Sequence, residues 1–203
     1  MKIGDKVVCV NAGFFCHSAN TLTEGQSYYV SDASNVGFVR LTGHGDWWYS
    51  CGRFKVSEPA LSKWDSRFLD LAARVAGWSK DPSTQVGCVI VDSNHRVLGL
   101  GYNGFPRGVD DSLERYADRA TKLLMVQHAE ANAVLNATTS LAGATAYVTH
   151  CCCASCAGTL IQAGVTEVVW KEPTTEFYDR NAASYQAAVQ MFSESGVTVR
   201  KFT

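Results

Sequence analysis

The chain has 203 residues, 46% of them hydrophobic and 18% charged, with a formal net charge of −1. That is length for one ordinary domain plus a small one, with apolar residues enough for a core and no basic footprint for long nucleic acid. No run approaches the ~18 apolar residues of a membrane span, and Met1-Lys2-Ile3-Gly4-Asp5 does not open a secretory signal. Eight cysteines would fit a disulfide scaffold in a short secreted chain. Here Cys151, Cys152 and Cys153 are consecutive and Cys156 completes a CxxC, which suits metal chemistry in a reducing compartment. The expected location is the cytoplasm, the host's if a phage encodes the chain.

Residues 1–57 read as short strands broken by turns. Lys6–Val10, Ser27–Val30, Gly37–Leu41 and Trp47–Ser50 are rich in β-branched and aromatic residues, and glycines punctuate them. Four or five strands in so short a segment predict a small all-β barrel. Ile3-Gly4-Asp5-Lys6-Val7 leading to Trp48-Tyr49 and Gly52-Arg53-Phe54 loosely resembles SH3-like modules of phage and bacterial proteins. Residues 58–61 are the expected linker. From Ser62 to the end, helix and strand patterns alternate. Trp64–Ala76 places Trp64, Phe68, Leu71 and Val75 on one helical face; Val86–Val91 and Val97–Tyr102 form a hairpin across Asn94-His95. Helices over Leu124–Ala137, Ser155–Ala163 and Ala182–Ser195 alternate with strands at Ala144–Thr149, Glu167–Trp170 and Val197–Phe202. Five strands interleaved with helices predict an α/β fold, a three-layer sandwich over residues 62–203.

His128-Ala129-Glu130 and Cys153-Ala154-Ser155-Cys156 carry the chemistry. Three protein ligands leave the fourth tetrahedral position of a catalytic zinc open to water, whose pKa the metal lowers to about 7. Glu130 then stands ready to move protons as general acid and base. Residues three apart share a helix face, so Cys153 and Cys156 can grip one ion, and helix N-termini favour thiolates. Alone, HxE means little and CxxC is more often structural or redox-active. Joined in this order after buried strands, they point to catalytic Zn²⁺ and to the H-x-E … P-C-x-x-C signature of zinc nucleobase deaminases. Cys152 stands where that signature has proline, and is expected to pack or line the pocket wall.

Ser79-Lys80-Asp81-Pro82-Ser83-Thr84-Gln85-Val86-Gly87, Gly101-Tyr102-Asn103-Gly104-Phe105-Pro106-Arg107-Gly108, His128–Ala133, Cys153–Ala157 and Ile161–Val165 together resemble the deoxycytidylate (dCMP) deaminase family over about residues 62–203. The resemblance implies a cytidine-deaminase-like α/β/α sandwich with a five-stranded mixed sheet, and hydrolysis of dCMP to dUMP and ammonia for thymidylate synthesis. It implies zinc on His128, Cys153 and Cys156, with Glu130 catalytic. Asn103 would hydrogen-bond the deoxyribose and the Ala129 N–H the base carbonyl. Lys80, Ser83, Arg107, Arg115 and Arg119 are candidates for the 5′-phosphate. It further implies a homohexamer and allosteric control by a nucleoside triphosphate with Mg²⁺ near Gly104, Phe105, Pro106 and Gly108. The short stretch from Gly108 to His128 sets that regulation in question.

The residues also admit other cytosine substrates (5-substituted dCMP, dCTP, a nucleoside or a tRNA base), a silent nucleotide-binding protein, or a structural zinc. Neutral charge disfavours tRNA, and Glu130 argues against the silent binder. Cys9, Cys16, His17, His44 and Cys51 match no zinc-finger spacing, and Trp47-Trp48-Tyr49 reads as barrel core or interface.

Overall fold

The computed structural model describes Met1 and residues 6–9, 22–24, 26–33, 38–42, 49–56 and 61–202. Cys16, His17, His44, Trp47, Trp48 and the linker at 58–60 lie outside the described residues. The chain divides into two compact units, Met1–Ala60 and Leu61–Thr203.

In the first unit, β1 (Lys6–Cys9), β2 (Ser27–Ala33), β3 (Phe38–Leu41), β4 (Tyr49–Ser50) and β5 (Phe54–Val56) form one antiparallel sheet in the order β4-β3-β2-β1-β5. β4 and β5 are opposite edges, yet only the 3₁₀ turn Cys51–Arg53 separates them. Four Cα steps reach at most ~14 Å, whereas the edges of a flat five-stranded sheet stand ~19 Å apart. The sheet therefore curls, as the barrel expectation requires, around Val7, Val30, Val39, Leu41 and Phe54.

The second unit begins with α1 (Lys63–Ala76). The Ser62 hydroxyl accepts from the Asp65 N–H at 3.1 Å, while the Asp65 carboxylate accepts from the Ser62 N–H at 2.7 Å. This reciprocal pair satisfies two otherwise unpaired donors at the helix start. The buried stripe of α1 is Phe68, Leu69, Ala72, Val75 and Ala76. Trp64 stays 40% exposed, stacked on His95 at 4.4 Å, so the expected apolar face is rotated away from it.

β6 (Gly87–Val91), β7 (Val97–Tyr102), β8 (Thr145–Val148), β9 (Glu167–Lys171) and β10 (Thr198–Phe202) form a sheet in the order β10-β9-β8-β6-β7. β6 runs antiparallel to both its neighbours, whereas β8, β9 and β10 are mutually parallel. Side-chain alternation sorts the strands into two cores. Val89, Val91, Tyr147 and Val169 pack on α1; Cys88, Ile90, Ala146, Val148, Val168 and Trp170 face the other way. That second face is covered by α4 (Ala129–Leu135), α5 (Ala154–Gln162) and α6 (Thr175–Ser195). The result is the cytidine-deaminase-like three-layer sandwich.

Two short helices lie between β7 and α4: α2 (Leu113–Ala117) and α3 (Arg119–Met125). The single helix expected from Leu124 is thus divided. Gln127 donates to Gly104 O at 2.8 Å and accepts from Gly104 N at 3.1 Å, an isolated antiparallel bridge that holds the chain extended just before His128. α6 also begins seven residues earlier than its pattern predicts, with Thr174 accepting from Phe177 N at 3.3 Å as its cap.

Candidate active site

The site forms where α4 and α5 start. His128 is the N-cap of α4 and Cys153 the N-cap of α5, so both side chains project from helix N-termini. α4 reaches the sheet because β7 carries Gly101: a Cβ there would stand 2.2 Å from Ala129 O and 2.3 Å from Ala133 N. His128 Nδ1 lies 3.4 Å from Cys153 Sγ and 3.4 Å from Cys156 Sγ. Zinc bonds of about 2.3 Å to sulfur and 2.0–2.1 Å to nitrogen, at tetrahedral angles, place N and S ~3.6 Å apart. One imidazole and two thiols at this spacing fit a single zinc ion. Among the described residues, these three are the group whose ligand atoms converge in this way, all within 4.8 Å of one another.

Of the two thiols, Cys153 is the one whose thiolate form is favoured, with Cys156 as its donor. The Cys153 thiol is pushed down, first by the Cys156 hydrogen bond and also by His128. Cys156, the donor of that pair, is pushed up, and the Cys153 contact raises His128. Glu130 is 3% exposed, and burial raises its carboxyl above the usual carboxylate range. Cys152 is 1% exposed, and burial, with the nearby Glu130 charge second, pushes its thiol well up. It is a neutral wall residue beside the carboxylate.

His128, Glu130, Cys152 and Cys153 line a cavity of about 620 Å³ that also receives Asn103, Ala129, Ser83 and Arg119, a size usual for small-ligand sites. Asn103 is heavily engaged. Its Oδ1 accepts from Val86 N at 2.7 Å, and its Nδ2 donates to Thr84 O at 2.9 Å and points to Asp81 at 3.5 Å. What it retains for a ligand is an acceptor lone pair. Ser83 gives its N–H and its hydroxyl proton to Asp81 Oδ1, at 2.8 and 2.7 Å, which leaves it no donor for a phosphate.

Lys80, Arg107 and Arg115 do not line the cavity. Lys80 pairs with Asp111 at 2.8 Å, Arg107 donates to Asn136 at 2.7 Å, and Arg115 donates to Asp110 O at 2.9 Å. The loop Gly104–Gly108 also stays outside: Gly104 bridges Gln127, Phe105 lies 4.6 Å from the Tyr116 ring, and Gly108 takes φ +80°.

Lys122 and His150 line the cavity without having been singled out from sequence. His150 lies two residues past the end of β8, at the carboxyl end of a strand, where open α/β sheets place ligands; that position was its available signal. Its Nδ1 lies 3.1 Å from Thr149 Oγ1, and burial lowers its pKa, followed by the Lys171 charge.

Residues 62–172 match the cytidine and deoxycytidylate deaminase zinc-binding region. The chain belongs to this deaminase family. The deaminase is 45% identical over 139 residues to an uncharacterized deaminase of Aliivibrio fischeri, a match spanning 68% of this chain and 93% of that one. It is 39% identical over 146 residues to the deoxycytidylate deaminase of Homo sapiens, spanning 69% and 80%. Its fold resembles the crystal structure of dCMP deaminase from cyanophage S-TIM5 in complex with dCMP and dUMP. The TM-score is 0.57 at 23% identity, over 71% of this chain and 100% of that one. The deaminase thus carries a zinc-binding region of known type, on a fold that the cyanophage enzyme shares.

Proposed function

We propose that this chain is a zinc-dependent dCMP deaminase, hydrolysing dCMP to dUMP and ammonia and so feeding dTMP synthesis. The observation that carries the reading is the convergence of His128, Cys153 and Cys156 beside buried Glu130, in a chain 39% identical to the human deoxycytidylate deaminase. Zinc, when held by those three residues, supplies Lewis acidity and activates water near neutral pH. Glu130 takes the proton that the attacking water loses and delivers it to ring N3. It then takes the proton of the new C4 hydroxyl and passes it to the departing amine as the C4–N bond breaks and the C4 carbonyl forms. Burial, by raising the carboxyl, lets Glu130 hold that proton between the two transfers. The Ala129 N–H, at a helix N-terminus and without an intrahelical acceptor, is placed to bind the base carbonyl. Asn103 Oδ1 accepts from the sugar hydroxyl, the one role its other bonds leave open. Arg119, exposed on the cavity wall, is the cation for the 5′-phosphate.

Residues 62–203 form the deaminase domain in this reading and residues 1–57 a separate small β-barrel. Two finer readings rest on the family resemblance, a homohexamer and triphosphate regulation with Mg²⁺ at the Gly104–Gly108 loop; a cytoplasmic location rests on the cysteine usage, and a phage or bacterial origin on the SH3-like pattern of the first segment. Steady-state turnover of dCMP, dCTP and 5-methyl-dCMP tests the substrate. We expect dUMP from dCMP at the highest kcat/KM; faster turnover of dCTP or 5-methyl-dCMP would reassign it.

A further inference from the structure

α3 is inside out. Lys122 is its buried residue, at 9% exposure, while Leu123 and Leu124 stand out at 54% and 88%. Lysine is rarely buried, and its ammonium is tolerated inside only when paired. Lys122 Nζ lies 3.1 Å from Asp81 Oδ2 and 3.2 Å from Oδ1, and donates to Ser83 Oγ at 2.5 Å. Asp81 also accepts the N–H groups of Ser83 and Thr84, at 2.8 and 3.2 Å, so the turn before β6 is wrapped around one carboxylate. Asn103 adjoins the same carboxylate at 3.5 Å. The interior anchor of α3 is therefore an ion pair, since the helix buries no apolar side chain. Arg119 lies one turn before Lys122 and lines the same cavity.

We propose that Lys122 is a positioning residue for the nucleotide substrate. Its pairing with Asp81 and Ser83 fixes α3 against the cavity, and α3 presents Arg119 to the 5′-phosphate. Lys122 touches neither the base nor the reacting atoms; it acts through Arg119. A lysine kept inside merely to hold a helix would be an expensive choice, because a buried pair is seldom better for stability than apolar side chains of the same volume. The assignment rests on the reading that the cavity takes dCMP.

The test is a double-mutant cycle on the zinc-loaded full chain, with KM and kcat for dCMP read separately. Lys122→Met and Arg119→Gln should each raise KM about tenfold or more, as for loss of a charge-assisted contact, with kcat within about threefold. The double variant should stay within about threefold of the weaker-binding single variant, because both substitutions remove one interaction. Multiplying effects would overturn the route through Arg119. A lowered Tm with unchanged KM in Lys122→Met would reduce Lys122 to a structural role. If Lys122→Met fails to fold, Asp81→Asn/Lys122→Met leaves no unpaired buried charge and retains an acceptor for the turn. The same KM rise is expected there, and its absence counts equally against the proposal. Wild-type enzyme that does not prefer dCMP over deoxycytidine would sink the functional reading itself. A clear preference with unmoved KM in the variants would sink only the assignment to Lys122.

Discussion

Glu130 and the three metal-binding candidates differ in what their removal should do. Glu130→Gln keeps the shape of a buried side chain but can no longer accept the proton from water. It should lower kcat about 10²–10⁴-fold, the usual contribution of a positioned acid–base group, while zinc content by atomic absorption stays near one per chain. Cys153→Ala should lose the zinc itself, since Cys156 and His128 alone make an incomplete site. Cys152→Ala separates the neighbouring cysteines: its side chain lies outside the converging group, so zinc should remain, with about 1 kcal/mol of stability lost to the vacated volume. Loss of zinc from Cys152→Ala would make it a ligand. The ligand spacing was legible from sequence because CxxC and HxE encode it through helix geometry. Lys122 was not legible: a lysine between Thr121 and Leu123-Leu124 reads as solvent-facing, and only its meeting with Asp81, 41 positions away, turns it inward.

At the scale of elements, the contact between β7 and α4 sets the site. Adding a Cβ at Gly101 would meet backbone atoms of Ala129 and Ala133, which cannot rotate aside. Gly101→Ala should therefore push α4 off the sheet, costing about 1–3 kcal/mol as overpacking and a larger share of activity than of fold. A second joint ties α1 to β10. Arg200 donates to both Asp65 oxygens at 2.8 Å and to Glu167 at 2.7 Å, while Tyr147 donates to Asp65 at 2.8 Å. Asp65 is 3% exposed, and the Arg200 guanidinium holds its carboxyl well below the usual carboxylate range. A depressed folded-state pKa stabilises the fold above the unfolded value, about 3.9. That stabilisation fades as pH falls toward the folded value. Wild-type Tm should drop steeply below about pH 4, and Asp65→Asn should flatten that drop while costing about 3 kcal/mol at pH 7. An unchanged slope in the variant would remove Asp65 from the acid response. Strand positions were readable from their β-branched runs. The start of α6 had a signal as well, Pro173-Thr174 before the helix, but the polar run that follows obscured it. The break before His128 had none, because a long-range bridge to Gly104 imposes it.

At the scale of the molecule, the chain couples a curled β unit to a complete three-layer α/β unit that holds every residue of the cavity. Among the described residues, no helix is long and apolar enough to cross a membrane. If the α/β unit is the whole catalytic apparatus, residues 61–203 alone should bind zinc and deaminate, and light scattering on both lengths will show whether the β unit alters assembly. Near-neutral charge and a cavity of about 620 Å³ suit a nucleotide better than a folded RNA. In the proposed reaction this cavity deaminates a deoxycytidine monophosphate. Ammonia release by the zinc-loaded full chain, compared for dCMP and deoxycytidine, tests it most directly. The kcat/KM for dCMP should be at least about a hundredfold higher, as expected when a cation is committed to the phosphate. Equal rates for the two, or no ammonia from dCMP, would contradict it.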